Sequence, residues 1–162
     1  MEVRATNGES VSLTVISYQF PNETSEYWDS NWLIIAGTIR AGNRRWIFRD
    51  ACLTASEAPG ISAWLRSVAA DEIEPSTLDP ELGWSPSLTF LEPNLAFSVA
   101  PADRLVVRVH FSLESAPPEF TFEQRVDIWQ FLVDLPITSA ALISAADEWD
   151  NELRAFQVRG AS

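Results

Sequence analysis

Cys52 and His110 are the single cysteine and the single histidine of the chain. A thiol beside an imidazole can form a nucleophile–base dyad, and a cysteine at a helix start ionises more easily. Cys52 stands between Ala51 and Leu53, a setting in which a free cysteine is commonly buried. His110 shares a strand face with Arg104 and Arg108, whose positive charge opposes a base. Neither residue carries a local motif of dyad chemistry, so two structural residues is the favoured reading. Carboxylates number 23, too many to single out an acid–base pair. Asp29-Ser30-Asn31 is too short for a calcium loop, and zinc spacing, a glycine-rich phosphate loop and a nucleophile elbow are missing. The sequence therefore calls for no catalytic residue, no cofactor and no metal, which points toward a binding protein.

One further carboxylate stands out by its setting. In "SLTFLEPNLAFSVA", residues 87–100, Glu92-Pro93-Asn94 divides two apolar runs. Pro93 and Asn94 suit the central positions of a β-turn. A two-residue loop pairs Glu92 with Leu95, Phe90 with Phe97 and Leu88 with Val99. Glu92 is then a turn-flanking acid that accepts backbone N–H groups.

The elements that would position these residues follow from periodicity. Residues 11–20 alternate, with Val11, Leu13 and Val15 on one face and Ile16, Tyr18 and Phe20 on the other, as a strand does. Residues 21–31 read as a loop rich in turn formers and acids. Residues 32–40 and 44–50 form a hairpin about Gly42-Asn43. Its register sets Ile39 against Trp46 and Gly37 against Phe48. Thr54 and Glu57 have capping-box spacing, and Ile61, Trp64, Leu65 and Val68 make a helical stripe from near Pro59. Residues 71–86 read as a long acidic connection without a base. Strands are expected at 87–92, 95–100, 104–114 and 125–134, the last one central and covered on both faces. A helix follows over about 137–156, its seam Leu142, Ala145, Trp149, Leu153 and Phe156. The expected class is α+β: about eight mostly antiparallel strands and two helices, in one domain spanning residues 1–162.

Composition bounds the function. The net charge is −12, and all 11 basic residues are arginine. Such a balance argues against nucleic acid or an anionic membrane as the main partner and favours a basic protein. The lone cysteine leaves no intrachain disulfide. No apolar run reaches the roughly 18 residues of a membrane span. The opening "MEVRATNGES" has neither the basic start nor the apolar core of a signal peptide. A cytoplasmic location is the resulting expectation. Tyr27, Trp28 and Trp84 lie in polar segments, where aromatic side chains can anchor an interface.

Several ordered pieces resemble a known family. "SYQFP" precedes "YWDSNWL"; "RWIFRDACL" and a helix with "AWL" follow; then come "FLEPNLAF", "VRVHFSLESAPP" and a closing "LRAFQVR". In order and spacing they resemble the WapI-type immunity proteins of bacterial polymorphic-toxin systems. The resemblance implies a cytoplasmic protein that binds and neutralises a cognate toxin domain, and it supplies no catalytic residues. Nuclease toxins are typically basic, so an acidic inhibitor would gain encounter rate and complementarity. The expected contact residues, chosen from charge and position, are Tyr27, Trp28 and Asp29, Glu72 and Glu74, and Asp147, Glu148 and Asp150. Two other readings stand beside this one: a small hydrolase-like enzyme using a carboxylate such as Glu92 or Asp29, and an accessory structural domain.

Overall fold

The first half of the chain is a meander. In the computed structural model, which describes residues 1–120 and 127–160, β1 (Glu2–Arg4), β2 (Ser10–Tyr18), β3 (Trp32–Ala41) and β4 (Arg44–Thr54) form one antiparallel sheet in chain order. The β3–β4 register is the expected one: Ala41 faces Arg44, Ile39 faces Trp46 and Gly37 faces Phe48. Gly42 has φ +59°, which a primed turn requires and a side chain resists. Gly37 serves a different end. A Cβ there would lie 2.0 Å from a ring carbon of buried Phe48, so the glycine gives Phe48 its seat in the core.

Two bulges reset the alternation. Val15 pairs with Ile35 but Ser17 with Ile34, which leaves Ile16 as the extra residue. Tyr18 therefore turns into the core, while Ile16 and Phe20 stay exposed; simple alternation had put all three on one face. In β4, Leu33 faces Leu53 and Ile34 faces Ala51. Cys52 is the bulged residue, and it is fully buried. An inserted residue shifts the phase of every side chain beyond it.

Between β2 and β3 the expected loop contains a short helix, α1 (Tyr27–Asn31). After β4, α2 (Pro59–Ala69) begins at its proline and buries Ile61, Trp64, Leu65 and Val68. It ends in a Schellman motif: Asp71 takes φ +61° and the Glu72 N–H reaches the Ser67 carbonyl at 2.9 Å, satisfying a terminal carbonyl. The acidic connection holds a small hairpin, β5 (Leu78–Asp79) with β6 (Gly83–Trp84).

The second sheet runs in the order β10-β9-β8-β7. It comprises β7 (Leu88–Thr89), β8 (Leu95–Val99), β9 (Val106–Phe111) and β10 (Phe131–Pro136), with a 3-10 turn at Leu113–Ser115. The expectation of a central strand over 125–134 needs correction. Residues 125 and 126 lie outside the described residues, the strand starts at Phe131, and it occupies an edge. Trp129 has a left-handed φ of +68°, which breaks the extended backbone just before β10. The strands covered on both faces are β8 and β9, whose residues are all buried.

Finally, α3 (Ser139–Leu153) is capped by the Thr138 hydroxyl, which accepts from the Ala141 N–H. It starts two residues after the expected point because Pro136 completes β10 rather than opening the helix. Its seam of Leu142, Ala145, Trp149 and Leu153 is buried as expected. A single apolar cluster takes in both sheets and both long helices. The Trp149 indole N–H donates to the Ala58 carbonyl at 2.8 Å, tying α3 to the approach of α2. The described residues thus hold ten strands and three helices in an antiparallel α+β fold.

Candidate partner-binding surface

The residues around Glu92 form a structural knot rather than a free turn. The observed pairs are Leu88 with Phe97 and Thr89 with Ala96, two residues from the expected register. An even slip keeps every side chain on its expected face, so the apolar pattern cannot distinguish the two. What decides is Asn94, which is buried. Its side-chain amide donates to Asp50 Oδ2 at 3.1 Å and Glu114 Oε2 at 3.3 Å. Its backbone carbonyl accepts from the Ser112 N–H at 3.0 Å and from the Ser115 hydroxyl. A residue held on all sides cannot sit at a solvent-facing turn tip, so the connection lengthens. Phe90 still meets Phe97, edge-on at 6.3 Å. The N–H acceptor role expected of Glu92 belongs to Glu57. Its Oε1 accepts from Leu91 N–H at 2.7 Å while its Oε2 accepts from Thr54 N–H at 3.0 Å. Glu92 is exposed, and its carboxylate makes no hydrogen bond among the described residues.

Cys52 and His110 serve separate neighbourhoods. Burial pushes the Cys52 thiol far above its ordinary pKa, and nearby Asp50, Glu114 and Glu92 add to the effect, so the nucleophilic thiolate is disfavoured. His110 Nδ1 lies 2.5 Å from the Trp129 carbonyl. That oxygen can only accept, so Nδ1 carries the proton and Nε2 accepts from Ser98 Oγ at 2.7 Å. The contacts resemble a serine–histidine pair, but both residues are fully buried and no substrate reaches them. Burial holds the imidazole pKa below its usual value, against the pull of the Trp129 hydrogen bond. Among the described residues no group of three or more His, Cys, Asp or Glu is placed to hold a metal ion, and no helix is long and apolar enough to cross a membrane.

The expected contact residues fall in three places. Tyr27, Trp28 and Asp29 lie on α1, all exposed, with the Trp28 side chain 59% accessible and the two rings edge-to-face at 5.6 Å. Buried Asn31 fixes α1 from beneath: its amide donates to the Tyr27 carbonyl at 2.6 Å and the Arg159 carbonyl at 2.9 Å, and its Oδ1 accepts from the Arg159 N–H at 2.8 Å. The Arg159 guanidinium stacks 3.3 Å from the Tyr18 ring centre. Ahead of α1, Glu23 Oε1 accepts from the Ser25 hydroxyl and the N–H groups of Thr24, Ser25 and Glu26. These bonds, led by that of the Ser25 hydroxyl, hold its pKa at about 2. The aromatic loop is therefore a built surface.

Glu72 and Glu74 are exposed in the segment after α2. On α3 the acids are largely engaged within the fold. Asp147 and Asp150 each contact Arg66 Nη2 at 2.7 Å, which joins α3 to α2. Glu148 accepts from the Glu2 N–H at 3.1 Å. Their neighbour Glu152 accepts from the Val15 N–H at 2.6 Å and pairs with the terminal amine at 3.1 Å. No hydrogen bond or ion pair joins the three groups to one another among the described residues.

Trp84 is more enclosed than its polar setting implies. It is half-buried on Arg108, whose guanidinium carbon lies 4.2 Å from the ring centre. Arg108 in turn makes a two-pronged pair with Asp134 at 2.7 and 2.9 Å. The exposed large apolar residues of the hairpin and of the segment before β10 are Leu78, Leu82 and Ile128. Sequence reading passed over them because leucine in an acidic connection has no periodicity to mark it. A depression of about 280 Å³ on β3–β4 is lined by Arg40, Arg45, Trp46 and Ile47 among others. Neither Asp29 nor Glu92 lines it.

No curated protein and no solved structure matches the chain significantly. A family model does, over residues 2–157 of the 162, and with nearly the whole chain covered it belongs to the immunity protein WapI-like family.

Proposed function

We propose that this chain is a cytoplasmic immunity protein that neutralises a basic toxin domain by stoichiometric binding rather than by catalysis. Membership of the immunity family is the observation that carries the reading, and binding of a cognate toxin is what that membership implies. The finer points rest on charge. At −12 the protein repels nucleic acid and attracts cations, and a basic domain that binds phosphates meets it as an electrostatic complement. A nuclease is the toxin class that best fits this charge. Carboxylates such as Asp29, Glu72 and Glu74 can occupy the places of substrate phosphates, and Tyr27 and Trp28 can supply aromatic anchors. Asp147, Glu148 and Asp150 contribute mainly through the field, since their oxygens already serve α2 and β1.

Co-expression tests the reading. The toxin domain encoded beside this chain is expressed alone and with it. Growth arrest by the toxin alone and recovery with the immunity chain are expected. Arrest that persists at matched expression, with no complex recovered, contradicts it.

A further inference from the structure

Two exposed leucines stand on a hairpin that polar contacts hold in place. Leu82 is 77% and Leu78 59% accessible, and Ile128, from the segment before β10, is 47% accessible. The backbones of Leu82 and Ile128 meet at one side chain, and Leu78 pairs with Trp84 across the hairpin. Gln130 Nε2 donates to the carbonyls of Leu82, Trp84 and Ile128 at 3.2–3.4 Å, and Gln130 Oε1 accepts from the Trp84 N–H at 2.9 Å. Gly83 has φ +77°, and a Cβ there would lie 2.1 Å from Gln130 Oε1. Trp84 rests on Arg108, which Asp134 fixes. At the tip, Asp79 Oδ1 accepts from the N–H groups of Glu81 and Leu82 at 2.8 Å each.

The leucines gain the fold little, because they stay in water. The polar scaffold beneath them is elaborate, and it removes the conformational freedom that binding would otherwise have to remove. Around them stand Asp79, Glu81 and Asp127, all exposed and none in an ion pair among the described residues. An apolar centre with a charged, solvated rim is the usual anatomy of a protein-binding patch.

We infer that the Leu78–Leu82–Ile128 knuckle is the apolar centre of the toxin contact, and that it inserts into a recess of the partner rimmed by lysine or arginine. The inference rests on the immunity reading and adds to it the surface and the chemistry of its complement. The acidic rim selects the sign of the partner, and its carboxylates, none in an ion pair among the described residues, make the encounter salt-sensitive.

The test measures the affinity of the purified, adjacently encoded toxin domain for four forms of this chain. These are the wild type, Leu78→Ala/Leu82→Ala, Glu81→Lys/Asp127→Lys and, as a control, Leu91→Ala, an exposed leucine outside the hairpin whose N–H is held by Glu57. The leucine double variant should bind about 100-fold more weakly, as loss of two central anchors does. The charge variant should associate more slowly and lose most of its dependence on salt. Leu91→Ala should bind as the wild type does. The charge variant answers the question even if the leucine variant does not fold. Wild-type binding with both double variants within about threefold of it overturns the knuckle and leaves the immunity reading standing. No wild-type binding overturns both. A change only in the chain's own sedimentation assigns the patch to a second copy and overturns the proposal.

Discussion

Replacing Asn94 by aspartate changes one side-chain amide into a carboxylate of nearly the same shape, at a buried site between Asp50 and Glu114. The wild-type amide donates to both acids. Asn94→Ala removes those donors. Each hydrogen bond to a charged acceptor is worth about 1.5–3 kcal/mol when sequestered. Asp50 is half-buried and Glu114 exposed, so water recovers much of this and a total of about 1–2 kcal/mol is expected. Asn94→Asp removes the donors and adds a like charge. Two charges 4 Å apart interact by about 4 kcal/mol at an effective dielectric of 20, and exposure of the acceptors cuts this to roughly half. The aspartate variant should therefore lose about 3–4 kcal/mol at pH 7.5, a large share of a typical 5–15 kcal/mol stability. The excess over alanine must depend on pH. Repulsion raises the folded-state pKa of the new carboxyl above its unfolded value of about 3.9. The folded state then holds a proton that the unfolded state releases, so the excess cost is present above the raised pKa and fades as pH falls toward 3.9. Urea titrations followed by tryptophan fluorescence at pH 7.5 and pH 5 measure it. An aspartate variant as stable as the wild type at pH 7.5, or a gap from alanine that does not narrow at pH 5, refutes the assignment.

Gly37→Ala should cost about 1–3 kcal/mol by overpacking Phe48, read as a lower urea midpoint with an unchanged slope. His110 is held neutral, so its contribution is complete above the unfolded pKa of about 6.5 and declines as pH drops below that value. The difference in stability between wild type and His110→Gln should therefore shrink from pH 7.5 to pH 5. Cys52 should react with a thiol reagent only as fast as the protein unfolds; rapid labelling of the native chain contradicts its burial.

Much of the architecture was legible because its cues are local. The Gly42 turn, the Gly37–Phe48 pair and the α2 and α3 stripes each announce themselves within a few residues. The family likeness was legible for the same reason, as ordered short motifs. Errors arose where tertiary contacts override pattern. The bulges at Ile16 and Cys52 shift the phase with no change in composition. The slip at Phe90–Asn94 preserves both faces, so only the partners of Asn94 reveal it. Trp129 takes a left-handed turn inside what reads as a strand. The candidate surface was least legible. Asp147 and Asp150 look free on a helix wheel, and only packing brings Arg66 to them. Leu78 and Leu82 look incidental until Gln130, Trp84 and Arg108 are seen to hold their hairpin.

The proposed mode of action is inhibition by one-to-one binding. It is tested by titrating this chain into a fixed concentration of active toxin domain well above the dissociation constant. Residual toxin activity should fall linearly and reach zero at one equivalent, with the complex recovered intact. Complete inactivation at far below one equivalent, continuing with time, would mean that the chain turns over, and would contradict stoichiometric binding.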